Sequence, residues 1–207
     1  LRWRPGVGEV SVDVGCRGDA TMRTPASSVD ERTWTGSTPG TSAVILCDNS
    51  MLSGTTAKDV VRSLRDVLPG NAGRDSVSVV LFDHDLLELC PFMPTASLSD
   101  RLDPNAVANP EGLSAVYTAM MSGLGMVRDR AEQRVLILVT SSDDNASVHL
   151  STADIVRRAA ELRAAVYVIR VGQTTRAYPF RSICAATGGR LYTVAESDAA
   201  AVGGIVR

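Results

Sequence analysis

The chain has 207 residues, 44% of them hydrophobic, which is enough to bury one core of useful size and a small appendage. Its 21 basic and 23 acidic residues leave a net charge of −2, so no overall charge attracts nucleic acid or an anionic membrane. No apolar run approaches the roughly 20 residues that span a bilayer, so we expect no insertion into a membrane.

The first 41 residues differ in composition from the rest of the chain. Val10, Val12 and Val14 alternate with polar neighbours, and Gly, Ser, Thr, Pro and Asp are frequent around them. Alternation of this kind predicts a short β-strand, and the small polar residues that follow predict a linker. We therefore expect an amino-terminal β-arm and linker over residues 1–41 and a separate domain over residues 42–207.

A buried strand and a helix open that domain. The run from Ala43 to Cys47 is continuously apolar, which is typical of a parallel strand covered on both faces, and it is followed by Asp48. Apolar residues at helical spacing from Ala57 to Leu68 then predict a helix. Because ligands and ions bind at the carboxyl ends of strands in open α/β sheets, Asp48 is the first candidate site residue.

Two strands and a long connection come next. Residues 76–82 predict a strand, and residues 86–90 follow closely enough to form a hairpin with it, which places one antiparallel strand at the sheet edge. Four prolines between residues 91 and 110 predict that this stretch is mostly loop. A long connection near strand ends is frequently functional.

The remainder of the chain alternates helices and strands. We predict a helix over residues 113–130, a strand over 135–140, a helix from 151, a strand over 166–171, a helix through 182–186, a strand over 190–194 and a terminal helix from 197. This order is typical of a doubly wound α/β fold with a mostly parallel six-stranded sheet, one antiparallel edge strand and helices on both faces.

The four cysteines indicate neither a zinc site nor a disulfide framework. Cys16, Cys47, Cys90 and Cys184 are far apart and lack the C-x-x-C spacing, and two of them lie in predicted strands. Buried free thiols are the better interpretation, and they fit a cytoplasmic protein.

Three polar segments stand where predicted strands end or a predicted helix begins. They are Asp48-Asn49-Ser50-Met51-Leu52-Ser53, Gly112-Leu113-Ser114-Ala115-Val116-Tyr117 and Thr140-Ser141-Ser142-Asp143-Asp144-Asn145. Together with the element order, they resemble the von Willebrand factor type A (vWA) family over roughly residues 42–207. The resemblance implies a metal-ion-dependent adhesion site, formed by an Asp-x-Ser-x-Ser motif, a threonine before a middle helix and an aspartate after the fourth strand.

The resemblance also implies the metal ligands, position by position. Asp48 and Ser50 match the first aspartate and the first serine of the motif, and Ser114 stands at the threonine position. Mg²⁺ prefers octahedral oxygen ligands and keeps several waters, so one or two carboxylates with hydroxyl groups suit it. Asp48, Ser50 and Ser114 are therefore the predicted Mg²⁺ ligands.

Two departures from the family pattern affect this predicted site. Leu52 stands where the second serine belongs, and a one-residue deletion would shift Ser53 toward that role. Ser141 stands where the aspartate belongs, which removes a charge, and Asp143 or Asp144 is the nearby carboxylate that would replace it. Because Mg²⁺ loses its water reluctantly without anionic ligands, we expect metal binding to be weakened or lost.

The resemblance favours a non-enzymatic module that binds an unidentified protein partner through the loops at the carboxyl ends of the strands. The sequence has no nucleophile elbow, phosphate-binding loop or dinucleotide motif, which excludes the common hydrolase and nucleotide chemistries. Two alternatives stay open. One is a metal-assisted hydrolase that uses Asp48 with Asp143 or Asp144. The other is a structural or regulatory subunit that docks through the β-arm.

Overall fold

The computed structural model describes residues 40–50, 54–70, 75–107, 113–172 and 178–206. Of the predicted β-arm and linker, only Gly40 and Thr41 belong to these ranges, and Thr41 is the first residue of a strand. The rest of that prediction lies outside the described residues. In the described part of the chain, no helix combines the length and the apolar character needed to cross a membrane.

The described residues form one sheet flanked by helices. The strands are β1 (Thr41–Asp48), β2 (Ser76–Phe82), β3 (Leu86–Pro94), β4 (Gln133–Thr140), β5 (Ala165–Val171) and β6 (Leu191–Val194). The helices are α1 (Gly54–Val67), α2 (Val116–Met126), α3 (Thr152–Leu162), α4 (Tyr178–Thr187) and α5 (Val202–Val206), with short 3₁₀ turns at Leu68–Gly70, Thr95–Asp100, Pro104–Ala106 and Glu196–Ala201.

The strand order is β3-β2-β1-β4-β5-β6, and every neighbouring pair is parallel except β2 and β3. The predicted fold class, a doubly wound sheet with one antiparallel edge strand, is confirmed. The winding direction reverses between β1 and β4, which makes the carboxyl end of β1 the topological switch point, where open α/β sheets bind their ligands. Asp48 is the last residue of β1.

Both faces of the sheet are buried because side chains alternate along each strand. On one face, Ile45 and Cys47 of β1 pack with residues of α1 and α5. On the other face, Val44 and Leu46 pack with residues of α2, α3 and α4. This two-sided burial explains why the sequence of β1 is apolar without alternation.

The edge strand β3 is longer than predicted, because it continues through Pro91 to Pro94. Proline lacks a backbone N–H, and an edge strand or a bulge tolerates that loss. The pairing of β2 with β3 is irregular at this point, where the register shifts on both sides of Val79. The prediction that the proline-rich stretch is mostly loop was therefore wrong for its first four residues.

Helix α2 is shorter than the predicted helix over residues 113–130. Its start is delayed because the backbone of Ser114 is bound from another loop: the Ser114 N–H donates to Asn145 Oδ1 over 2.7 Å, and the Asn145 N–H donates to Ser114 O over 3.0 Å. Residues bound in this way are not available for the helical hydrogen-bond pattern.

Candidate functional site

The candidate site is built around Asp48, whose carboxylate is fully buried at the switch point of the sheet. The chain continues past the strand with the Asn49 N–H donating to Phe82 O over 2.8 Å, which holds the start of the following loop against β2. A buried carboxylate is costly unless hydrogen-bond donors surround it. The donors around Asp48 therefore define the site.

Five hydrogen bonds converge on this carboxylate. Oδ1 accepts from the Ser50 backbone N–H over 2.9 Å and from Ser50 Oγ over 2.6 Å. Oδ2 accepts from Ser114 Oγ over 3.2 Å and also from Thr140 Oγ1 and Ser142 Oγ. We call Asp48, Ser50, Ser114, Thr140 and Ser142 the Asp48 cluster. Its members come from three segments that are far apart along the chain, at the end of β1, before α2 and at the end of β4, and all five are buried.

The loop between β4 and α3 fixes the start of α2 and so positions Ser114. The bonds between Ser114 and Asn145 hold the residue before the helix, and the Tyr117 N–H donates to Asp144 Oδ1 over 3.1 Å. Asp144 thus accepts from one of the unpaired amides at the helix start, where a negative charge is also favoured by the helix dipole. From the other side, the Ala115 N–H donates to Asp83 O over 2.8 Å.

A buried arginine lies beside the cluster. Arg170 of β5 is 2% exposed, pairs in register with Thr140, and places its guanidinium carbon 5.0 Å from the ring centre of Phe180. Its Nη1 donates to Ser142 O and lies 3.3 Å from Asp143 Oδ1. Burial lowers the pKa of Arg170 from its ordinary value, and the charges of Asp143 and Asp48 oppose that shift.

The structure brings together Asp48, Ser50 and Ser114, the three predicted metal ligands. It does not bring Ser141 to Asp48: within the described residues, Ser141 Oγ has no hydrogen-bond partner. Asp143 forms an ion pair with Arg170 instead of approaching Asp48 as a replacement ligand. The last candidate of the same motif, residue 53, lies outside the described residues.

Sequence reasoning missed three residues that contact this site, namely Thr140, Ser142 and Arg170. Thr140 and Ser142 lie in the quoted motif, but the family pattern directed attention to Ser141 between them. Arg170 gave a usable signal, because it is a charged residue inside the otherwise apolar strand from Val166 to Val171. A charge at such a position is rare unless it has a partner.

Four buried polar atoms next to the cluster lack hydrogen-bond partners. In the described part of the chain, the buried side-chain atoms without a partner are Asn49 Oδ1, Ser141 Oγ, Asp143 Oδ1 and Arg170 Nε. All four belong to residues at or just beyond the ends of β1, β4 and β5. Buried polar groups in folded proteins nearly always have partners, and of these four atoms Asp143 Oδ1 has the ion-pair contact with Arg170 Nη1.

The residues present do not fit a Mg²⁺ ion well. The cluster contains a single carboxylate, and its four hydroxyl groups already donate to that carboxylate. Arg170 adds a positive charge beside it, which opposes a second cation. Across the ranges that the structure describes, no group of three or more His, Cys, Asp and Glu side chains is placed to hold a metal. Metal binding by Asp48, Ser50 and Ser114 stays a prediction, which this donor set disfavours.

The same end of the sheet carries exposed apolar side chains. Over the described ranges, the large hydrophobic residues that are exposed are Leu86 (43%), Leu87 (52%), Leu113 (49%), Val148 (69%) and Tyr178 (81%). Each follows the carboxyl end of a parallel strand or opens a helix at that end, and the two leucines open β3, which runs antiparallel to β2. We call these five the rim residues.

The chain was compared with family models, curated protein sequences and solved structures. No family model and no curated protein sequence matches the chain. Among solved structures, a von Willebrand factor type A protein from Catenulispora acidiphila is 15% identical, with a TM-score of 0.63 over 81% of this chain and 41% of that one. BatB from Bacteroides thetaiotaomicron is 18% identical, with a TM-score of 0.58 over 81% and 97% of the two chains.

A third similar structure is the proximal thread matrix protein 1 of the mussel byssus, described with a zinc-occupied adhesion-site motif. It is 19% identical to this chain, with a TM-score of 0.59 over 82% of this chain and 47% of that one. At these identities the likeness shows the fold alone. The chain adopts the vWA fold, as the three motifs and the element order predict.

Proposed function

We propose that this domain of vWA fold is a non-enzymatic interaction module, which binds a protein partner through the loops at the carboxyl ends of its strands, with metal binding weakened or lost. Fold does not determine function, so the proposal rests on the site. The observation that carries it is the location of the rim residues.

Single exposed hydrophobic residues are normal on a protein surface and need no explanation. Here the large ones in the described part of the chain all lie at one end of the sheet, the end that holds the Asp48 cluster. Tyr178 is the most exposed, and tyrosine is enriched among residues that dominate binding energy at interfaces. An apolar group of this kind around a polar centre is typical of a protein-binding surface.

Two of the segments that carry rim residues, those of Leu113 and Val148, are held in place by hydrogen bonds. Leu113 precedes Ser114, which is bound on both sides to the loop after β4. In that loop Ser147, next to Val148, accepts from the Thr118 N–H over 2.9 Å. Prior ordering lowers the entropic cost of association, so a surface built on fixed loops supports binding.

The contacts of the acidic residues support a non-enzymatic role over a metal-assisted hydrolase. That alternative needs Asp143 or Asp144 to act with Asp48 on a substrate. Asp143 is paired with Arg170, and Asp144 accepts from the Tyr117 N–H at the start of α2. The zinc described for the mussel protein is not transferred to this chain, because Ser141 stands at the family's aspartate position.

The test is a comparison of partner capture by purified variants, with mass spectrometry to identify the bound proteins. The test variant combines Leu113→Ser, Val148→Ser and Tyr178→Ser. The matched control changes Arg128 and Asp129 to Ser, two exposed residues at the opposite end of the sheet. We expect a partner that binds wild type and control to be lost from the triple variant.

Retention of the same partners by a folded triple variant would refute the proposed surface. Circular dichroism establishes that each variant is folded before capture is compared. Deleting residues 1–38 tests the remaining alternative, in which the protein is a subunit that docks through its β-arm. Under the proposal the deletion leaves capture intact, whereas loss of the partner by the deletion alone would favour docking through the arm.

A further inference from the structure

We propose that Arg170 is the built-in cation of the Asp48 cluster. Its guanidinium compensates the charges of the buried Asp48 and of the partly exposed Asp143, and it takes the electrostatic role that a divalent ion has in an adhesion site. The cluster is therefore complete without a metal. This inference goes beyond the interaction proposed above, because it concerns the chemistry of the cluster whether or not a partner binds there.

Arg170 lies in the same row of the sheet as Asp48. Cys47 pairs with Val139, so Asp48 lies beside Thr140, and Thr140 in turn pairs with Arg170. Residues in one row across a sheet direct their side chains to the same face. Neighbouring strands lie about 4.8 Å apart, so the backbones of Asp48 and Arg170, which are two strands apart, are separated by about 10 Å. An arginine and an aspartate side chain that extend toward each other can bridge that distance.

A continuous set of contacts joins the two charges. Arg170 Nη1 donates to Ser142 O, and Ser142 Oγ donates to Asp48 Oδ2. One serine thus contacts both charged groups. The same nitrogen lies 3.3 Å from Asp143 Oδ1, which brings a second carboxylate into the pair.

The guanidinium of Arg170 is also fixed in place. Arg170 lies over the Phe180 ring, with 5.0 Å between the guanidinium carbon and the ring centre, and almost none of its surface is exposed. Stacking on an aromatic face favours a planar guanidinium over other cations. An arginine does not give up its proton in proteins, so this charge is permanent.

These contacts predict the effect on a metal ion. A divalent cation at Asp48 would lie close to a buried positive charge, and like charges repel strongly where the effective dielectric constant is low. It would also have to displace hydroxyl hydrogen bonds that already satisfy the carboxylate. Removing Arg170 and restoring the missing carboxylate at Ser141 should therefore create metal affinity that neither the wild type nor Ser141→Asp has.

The experiment is calorimetric titration of Mn²⁺ into the folded 207-residue chain. The four proteins are wild type, Ser141→Asp, Ser141→Asp with Arg170→Gln, and Ser141→Asp with Arg170→Lys. We expect no saturable binding by wild type. The glutamine double variant should show saturable binding, a gain in affinity of at least about tenfold, whereas Ser141→Asp and the lysine double variant, which keep the positive charge, should show none.

Equal affinity of Ser141→Asp and the glutamine double variant would overturn the proposal, as would saturable binding by wild type. If the glutamine variant does not fold, the two proteins that keep Arg170 decide the question. A rise of Tm with Mn²⁺ in Ser141→Asp would then contradict the proposal, and its absence would support it. Because the readout is metal binding, its outcome is independent of partner capture.

Discussion

Asp48 Oδ2 accepts a hydrogen bond from Ser142 Oγ, whereas the hydroxyl of the preceding residue, Ser141, has no hydrogen-bond partner in the described part of the chain. Ser142 also accepts through its carbonyl from Arg170. One residue of the loop after β4 therefore links the buried carboxylate to the buried arginine, and its neighbour does not. This difference makes the pair a matched test of the site.

Replacing Ser142 with alanine should destabilise the domain more than the same change at Ser141. Ser142→Ala leaves the buried Asp48 carboxylate with one donor fewer, and such losses cost about 1–3 kcal/mol. Ser141→Ala removes a hydroxyl without a partner and should change the free energy of unfolding by less than about 0.5 kcal/mol. Urea unfolding of both variants measures the difference, and equal effects would show that the carboxylate does not depend on Ser142.

A second matched pair tests the packing of α5 on α1. A Cβ at Gly203 would lie 2.4 Å from Ser63 O, whereas a Cβ at Gly204 would have no neighbour within 4 Å. The Gly203 N–H also donates to Ser63 Oγ over 2.8 Å, so the backbones must stay close. Gly203→Ala should lower the free energy of unfolding by about 1–3 kcal/mol through overpacking.

Gly204→Ala is the control for that change. Alanine is favoured over glycine in helices by about 0.5–1 kcal/mol, so this variant should be neutral or slightly more stable than wild type. Thermal unfolding of both proteins gives the comparison. A Gly203→Ala protein as stable as the Gly204→Ala protein would mean that α5 does not lie as close to α1 as described.

The strands were predictable because a strand buried on both faces has a continuous apolar run in its sequence. The runs in β1 and β4 are apolar without alternation, and the structure places them at the centre of the sheet. The position of Asp48 at the switch point follows from that order. The hydroxyl groups of Ser50 and Ser114 were assigned to the same site through the resemblance of their motifs to the vWA family, because strand order alone does not place the segment before α2 beside Asp48.

Other features depend on contacts between distant segments, and the sequence of one segment does not contain them. The late start of α2 depends on Asn145, 31 residues beyond Ser114. The continuation of β3 through Pro91 depends on its place at the edge, where a missing donor is tolerated. The choice of Ser142 over Ser141 depends on which way each side chain points after the strand ends.

Burial of Cys47 predicts a loss of stability at alkaline pH. Burial raises the pKa of this thiol from 9.0 to about 12, with smaller contributions from Asp48 and Cys90. The folded state thus holds its proton more tightly than the unfolded state does. The resulting stability is complete below pH 9, the ordinary pKa of the thiol, and is lost as the pH rises toward about 12.

The control for this pH effect is Cys47→Val, which keeps an apolar side chain of similar size and removes the titrating group. The stability difference between wild type and variant should change by about 1.4 kcal/mol per pH unit in that range, in the direction that favours the variant at high pH. Urea unfolding at several pH values measures it. A difference that does not vary with pH would mean that the Cys47 thiol titrates normally.

The central claim is that Asp48 and Arg170 form one charge-compensated unit at the switch point of the sheet. A double-mutant cycle of Asp48→Asn, Arg170→Gln and the combined variant, measured by urea unfolding, tests it most directly. Removing one partner leaves the other charge buried, so each single change should cost about 3–5 kcal/mol. The combined change should cost less than the sum by about 1–3 kcal/mol, and additivity within about 0.5 kcal/mol would contradict the claim.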